Sequence, residues 1–126
     1  MAATDVARNY FAAWNRHDPA GIVATFVEGG LYCDPAAPSG LTGPAIAEYT
    51  RRLFAAVPDA TFEIVSLDAL DENRVAAQWR MRGTSAEGRA IDLPGADFIR
   101  VDGNAVRSVQ GYFDRRTLNK QLGRDK

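Results

Sequence analysis

The sequence predicts an α+β domain in which N-terminal helices pack on a strongly curved, mostly antiparallel sheet. Apolar residues recur with a helical period before Pro58, and alternate with polar residues after it. The length of 126 residues suits one domain, so we expect residues 1–126 to form a single domain. Long, interrupted strands make a sheet curve, and a curved sheet closed by helices forms a cone with an internal pocket.

Three helices are expected in the first half of the chain. Residues 5–16 carry an apolar face that is typical of a helix packed on a core. Asp18 suits the N-cap of a second helix, and Pro19 suits its first position. Pro44 begins the third helix in the same way.

The strands are expected mainly in the second half. A short strand over residues 31–34 leads into a loop over residues 35–43, which is rich in Gly and Pro. Alternating patterns then predict four antiparallel strands, over residues 61–70, 74–82, 89–101 and 105–113. A bulge or kink is expected at Pro94 and Gly95, and a short helix in the tail over residues 114–126.

Composition excludes several functional classes. With 15 basic and 16 acidic residues the net charge is -1, so the chain lacks the basic surface of a duplex-binding domain. One cysteine and one histidine are too few for a disulfide framework or a structural zinc site. No glycine-rich nucleotide motif occurs, and neither a signal peptide nor a membrane span is indicated. We therefore expect a cytoplasmic protein without a cofactor.

Three residues are acid–base candidates. Asp34 precedes Pro35 at the end of a strand, where it would be a general base at a pocket mouth or the start of a turn. Asp97 lies in an apolar segment, where a carboxylate is costly unless paired or neutral. By strand parity it shares a face with Ile99, unless the kink turns it towards water. Tyr10 is a pocket hydroxyl or a core residue.

Asp114 ends the last predicted strand. It would face a cavity or cap the helix of the tail. Aromatic side chains are expected to form the pocket walls and contact a substrate: Trp14, Tyr49, Phe54, Trp79, Phe98 and Tyr112.

The chain resembles the nuclear transport factor 2-like superfamily, which includes the ketosteroid isomerases and the small SnoaL-like polyketide cyclases. The resemblance is carried by VARNYFAAWNRHDPAGIVATF, YCDP, LTGPAIAEYTRRLF and PGADFIRVDG. It implies the cone-shaped, cystatin-like fold, a reaction without a cofactor, and a homodimer formed through the outer faces of the sheets.

The resemblance also implies roles for the candidate residues. Ketosteroid isomerases carry a tyrosine and two aspartates at positions that match Tyr10, Asp34 and Asp97. Asp34 would move the proton, while Tyr10 and a protonated Asp97 would donate hydrogen bonds to the dienolate oxygen. The ending SVQGYFD is similar to that of the cyclases, in which an aspartate matching Asp114 acts in an aldol ring closure.

Two functions of different classes follow. The first is a proton-transfer enzyme, isomerase or cyclase, acting on a hydrophobic ketone. The second is a binding or dimerisation module, because this fold also serves non-catalytic roles. Among the enzymes of this superfamily, a small epoxide hydrolase ranks third after the isomerases and the cyclases, because Asp97 and Arg100 have the wrong spacing for its arginine–aspartate element. A pure binder has no need of two acids in one apolar pocket, so the placement of Asp34 and Asp97 discriminates between enzyme and binder.

Overall fold

A computed structural model describes residues 1–124; residues 125 and 126, the end of the predicted domain and tail, lie outside the described residues. The described chain forms four helices and six strands. The helices are α1 (Ala3–Asn15), α2 (Pro19–Ala24), α3 (Pro44–Ala56) and α4 (Arg115–Gln121). The strands are β1 (Phe26–Asp34), β2 (Ala37–Leu41), β3 (Thr61–Asp71), β4 (Arg74–Thr84), β5 (Ala90–Asp102) and β6 (Ala105–Phe113).

The six strands form one curved sheet in the order β2-β1-β6-β5-β4-β3. All neighbouring pairs in it are antiparallel except β1 and β6, which are parallel. Helix α1 packs across the inner face against β3, β4, β5 and β6. The predicted α+β class, with helices on a curved and mostly antiparallel sheet, is confirmed. No helix in the described part of the chain is long and apolar enough to cross a membrane.

The helix starts follow the capping signals. Asp18 accepts a hydrogen bond from the backbone N–H of Gly21 at 3.0 Å, and Pro19 takes the first position of α2. Helix α1 begins earlier than predicted, because the Asp5 carboxylate accepts a hydrogen bond from the backbone N–H of Ala2 at 3.2 Å. The carboxylate therefore extends the first turn towards the N-terminus.

The chain between α2 and α3 contains more strand than predicted. β1 begins at Phe26, and β2 lies inside the segment expected to be a loop. β2 pairs with β1 through Asp34 and Ala37, and it forms the edge of the sheet. An edge strand tolerates Pro38 and Gly40, because one of its sides has no ladder of hydrogen bonds to maintain.

The expected bulge at Pro94 and Gly95 is absent. β5 keeps an unbroken register with β4 through both residues, and its register shift lies between Arg100 and Val101, opposite β6. Pro94 lies in the part of β5 that pairs with β4 alone, where a missing N–H costs little. Gly95 instead makes room for the ring of Trp79.

Candidate active site

A cavity of about 60 Å³ lies between the inner face of the sheet and helices α1, α3 and α4. Side chains with polar groups line one part of it: Tyr10, Trp14, Tyr32, Asp34, Tyr49, Trp79 and Asp97. Apolar side chains line the rest: Leu53, Phe62, Met81, Leu93, Phe113 and Leu118. No basic side chain of the described residues lines this cavity, so its two carboxyl groups have no cationic partner there.

Asp34 is held by four hydrogen bonds. It ends β1 with 2% of its surface exposed. The backbone N–H groups of Ala36 and Ala37 donate to Oδ1 at 2.7 and 2.9 Å, because the chain turns immediately after Pro35. The hydroxyls of Tyr32 and Tyr49 donate to Oδ2 at 2.7 and 2.5 Å. Each carboxylate oxygen thus has two donors, which occupy its lone pairs.

The hydroxyls of Tyr32 and Tyr49 are protonated donors to Asp34 at neutral pH. Burial raises the pKa of Tyr32 and Tyr49 well above the usual value, and the charge of Asp34 raises both further. Their hydroxyls therefore keep their protons. The four donors thus engage both oxygens of Asp34.

Asp97 has the opposite environment. It lies on β5 with 6% of its surface exposed, and it lacks the set of four donors that holds Asp34. Burial raises its pKa to about 7; the nearby indole of Trp79 opposes the shift and the charge of Asp34 adds to it. A carboxyl group with a pKa near neutrality can both accept and return a proton.

The two aspartates are neighbours across a glycine. β6 lies between β1 and β5, and Gly111 is paired with Asp97. A Cβ atom on Gly111 would lie 2.9 Å from Oδ1 of Asp97 and 3.3 Å from Cβ of Asp34. Because Gly111 has no side chain, both carboxyl groups occupy the same part of the cavity.

Tyr10 reaches the cavity from α1. Its ring is 1% exposed and packs edge-on against Trp14 and Phe26, with centroids 6.1 and 5.7 Å apart. Burial raises the pKa of its hydroxyl well above the usual value, and the charge of Asp97 makes the second largest contribution in the same direction. The hydroxyl lines the cavity and keeps its proton, so it can donate a hydrogen bond to a ligand oxygen.

The structure brings together Tyr10, Asp34 and Asp97, as well as three of the expected wall residues. Trp14, Tyr49 and Trp79 line the cavity. Phe54 does not line it; its ring lies behind Trp14 at a centroid distance of 6.0 Å and stacks on His17 at 4.3 Å.

Three other expected site residues lie outside the cavity. Phe98 and Tyr112 are 49% and 53% exposed on the outer face of the sheet, because each is one residue away from an inward-facing position of its strand. Asp114 is exposed and caps α4, accepting hydrogen bonds from the backbone N–H of Arg116 at 3.0 Å and the Thr117 hydroxyl at 2.9 Å. These bonds lower its pKa. Of the two expectations for Asp114, the structure agrees with the helix cap and not with a position facing the cavity.

Tyr32 was not among the predicted site residues. It lies two residues before Asp34 on β1, so strand parity places both side chains on the same face of the sheet. The alternation of side chains along a strand would therefore have identified Tyr32 as a neighbour of Asp34. Gly111 carries no such signal, because its role depends on two strands that are distant in sequence.

A groove of about 650 Å³ continues outside the cavity, between α3 and α4. Four side chains border both spaces: Tyr49, Leu53, Phe113 and Leu118. Within residues 1–124 no group of three or more His, Cys, Asp or Glu is placed to hold a metal ion.

The fold and the site define a small α+β protein in which a curved sheet and its helices enclose a pocket with two buried acids. The chain belongs to the SnoaL-like domain family, whose model matches residues 7–109, within the nuclear transport factor 2-like superfamily. Among curated proteins, none matches the chain by sequence.

Several solved structures share this fold. A hypothetical protein with a ketosteroid isomerase-like fold from Catenulispora acidiphila, in complex with trimethylamine, has 22% identity and a TM-score of 0.83, over 94% of this chain and 92% of that one. A protein named as a polyketide cyclase from Bacillus cereus has 24% identity and a TM-score of 0.80, over 96% and 80%. TerC, co-crystallized with polyporic acid, has 13% identity and a TM-score of 0.82, over 94% and 96%. At these identities the likeness establishes the fold alone.

Proposed function

We propose that this protein is a cofactor-independent enzyme that moves a proton between two carbons of a small hydrophobic ketone, as a ketosteroid isomerase-like reaction does. The observation that carries the proposal is a buried carboxyl group with a raised pKa, Asp97, on the same cavity as the hydroxyl of Tyr10. A base and an oxyanion donor are the two groups that such a reaction needs.

We assign the proton-carrying role to Asp97, although the resemblance gives it to Asp34. Asp34 accepts four hydrogen bonds, so a substrate carbon would have to displace a donor to reach it. Asp97 is not held by a comparable set of donors among the described residues, and its pKa of about 7 suits transfer in both directions. In this proposal Asp34 holds Tyr32 and Tyr49 in place and keeps a negative charge beside Asp97.

The reaction then has two steps. Asp97 takes a proton from the carbon next to the carbonyl group, and the electron pair of that C–H bond moves to form a dienolate. Tyr10 donates a hydrogen bond to the dienolate oxygen, on which the negative charge develops. Asp97 then returns the same proton to the γ-carbon, which restores the carbonyl group and leaves the double bond in conjugation with it.

The size of the cavity favours a small substrate. Its volume of about 60 Å³ corresponds to roughly four to six water positions. A one-ring ketone fits this volume better than a tetracyclic one, which would have to extend past Leu53 and Leu118 into the outer groove. We therefore propose a substrate with a single ring, or a larger one that inserts only its reacting end.

The test is the pH dependence of kcat/KM for a one-ring β,γ-unsaturated ketone, followed by the absorbance of the conjugated product. If Asp97 is the base, kcat/KM rises with pH and levels off above about 7. Asp97→Asn should then lose about 10² to 10⁴ in rate, and the matched variant Asp34→Asn should lose less. If the rate falls above about pH 7, Asp97 acts as a protonated donor and Asp34 is the base.

An aldol cyclase is the second candidate. The same proton abstraction produces an enolate, and the outer groove of about 650 Å³ offers space for a chain that closes into a ring. A product with a new carbon–carbon bond identifies this reaction. If neither ketone class is turned over while ligands still bind in the cavity, the protein is a binding module.

We also propose a homodimer formed through the outer face of the sheet. Phe98 and Tyr112 form an exposed edge-on pair there, with centroids 6.1 Å apart, and Leu70 lies 49% exposed on the same face. Light scattering should give twice the chain mass, and Phe98→Glu should give the single mass. A monomeric wild type contradicts the dimer. The cytoplasmic location stays a prediction.

A further inference from the structure

Trp79 carries a buried hydrogen-bond donor that the described residues leave without a partner. Its side chain lies on β4 and is 8% exposed, and its Nε1 has no acceptor among residues 1–124. Buried indole N–H groups usually find an acceptor, because leaving a donor unsatisfied away from water costs free energy. An unpaired indole in the wall of a cavity therefore indicates a partner that is engaged in another state of the site.

The position of the Trp79 ring depends on a glycine in the next strand, which leaves room for it. Trp79 is paired with Gly95 of β5, and a Cβ atom there would lie 2.2 Å from Cζ2, 2.3 Å from Cη2 and 2.6 Å from Cε2 of the indole. The ring thus lies across β5, and Cε2, one of the two carbons bonded to Nε1, is among the atoms over the strand. Asp97, two residues after Gly95, is the next inward-facing residue of β5.

We propose that the indole N–H of Trp79 is the positioning donor of Asp97, which closes on the carboxylate when Asp97 gives up its proton. The hydrogen bond itself does not depend on the proposed function; only its role in catalysis rests on that proposal. A neutral carboxyl group is a weaker acceptor than a carboxylate, so the N–H bond strengthens on ionisation. In the catalytic cycle the donor would orient the basic oxygen before transfer and release it afterwards.

Several titratable groups share the cavity with Asp97 and Trp79. The titratable groups on the cavity are Tyr10 from α1, Asp34 and Tyr32 from β1, and Tyr49 from α3. Asp34 disfavours ionisation of Asp97, and the indole of Trp79 lowers the pKa of Asp97 against the effect of burial.

Trp14 provides a matched control on the opposite wall. Its Nε1 is also buried and has no partner among the described residues, and its side chain is 5% exposed. It lies beside Tyr10 and lowers the pKa of that hydroxyl, whereas the groups that shift the pKa of Asp97 are Trp79 and Asp34. Replacing either tryptophan with phenylalanine keeps an aromatic ring and removes one N–H group.

The experiment is a carboxyl-carbon NMR titration of Asp97 in the wild type, Trp79→Phe and Trp14→Phe, without substrate. Trp79→Phe should raise the pKa of Asp97 by about one unit, because a hydrogen bond to a charged group is lost. Trp14→Phe should leave it within about 0.3 units. An unchanged pKa in Trp79→Phe, or the same shift in both variants, overturns the proposal.

A second measurement needs no tryptophan variant. In the wild type the indole proton of Trp79 should move downfield as Asp97 ionises, with the same midpoint, and Asp97→Asn should abolish this titration. If the indole proton does not titrate, the proposal is wrong. Both measurements are independent of turnover, so an inactive protein would contradict the proposed function without affecting this inference.

Discussion

Asp97 should make the folded state less stable as the pH rises towards neutrality. Its pKa is about 7 in the folded protein and close to 3.8 in the unfolded chain. The folded state therefore binds the proton more tightly. This stabilisation is complete below about pH 4 and is lost as the pH rises through about 7. A difference of about three pKa units corresponds to roughly 4 kcal/mol of unfolding free energy.

The assay is urea unfolding of the wild type and Asp97→Asn, in steps between roughly pH 4 and pH 8. The amide is neutral at every pH. As the pH rises from roughly 4.5 to 6.5, the unfolding free energy of the variant should therefore increase relative to that of the wild type by about 1 kcal/mol per pH unit. The difference between the two proteins cancels the titration of the other carboxyl groups. If the unfolding free energies of the two proteins change in parallel with pH, Asp97 is not a buried carboxyl group with a raised pKa.

Three further predictions concern single residues. Tyr10→Phe should lower kcat by about 10² while the melting temperature holds; a collapsed melting temperature with full activity per folded molecule would make Tyr10 a core residue. Asp114→Ala should lower the melting temperature by a few degrees through loss of the α4 cap and leave kinetics unchanged, and a loss of turnover would instead favour the cyclase role. Gly111→Ala should cost about 1–3 kcal/mol in urea unfolding, because its Cβ would lie 2.9 Å from Oδ1 of Asp97; unchanged stability would contradict this close approach.

The fold could be predicted from local signals where these were strong. Asp18, Pro19 and Pro44 mark helix starts that the structure shares, because capping depends on neighbours in sequence. β2 could not be predicted in this way. Its Gly- and Pro-containing sequence has no strand preference, and it forms because β1 offers it an edge to pair with.

The site was predictable as a set of residues and not as a set of contacts. Strand parity places Asp97 inward, and the structure puts it on one cavity with Tyr10 and Asp34. The hydrogen bond from Tyr49 to Asp34 spans 15 residues and depends on how α3 packs, so no local pattern reveals it. The roles of the two aspartates remain predictions.

The wall between the cavity and the outer groove has a kinetic consequence. Tyr49, one of its four side chains, also donates to Asp34, so a molecule that enters by displacing Tyr49 must break that hydrogen bond. On that route, the entry of a ligand and the loss of this hydrogen bond of Asp34 are a single event. The rate of ligand exchange should depend on the strength of the bond between Tyr49 and Asp34, and a weaker bond should open the cavity faster at the expense of a less well-ordered carboxylate.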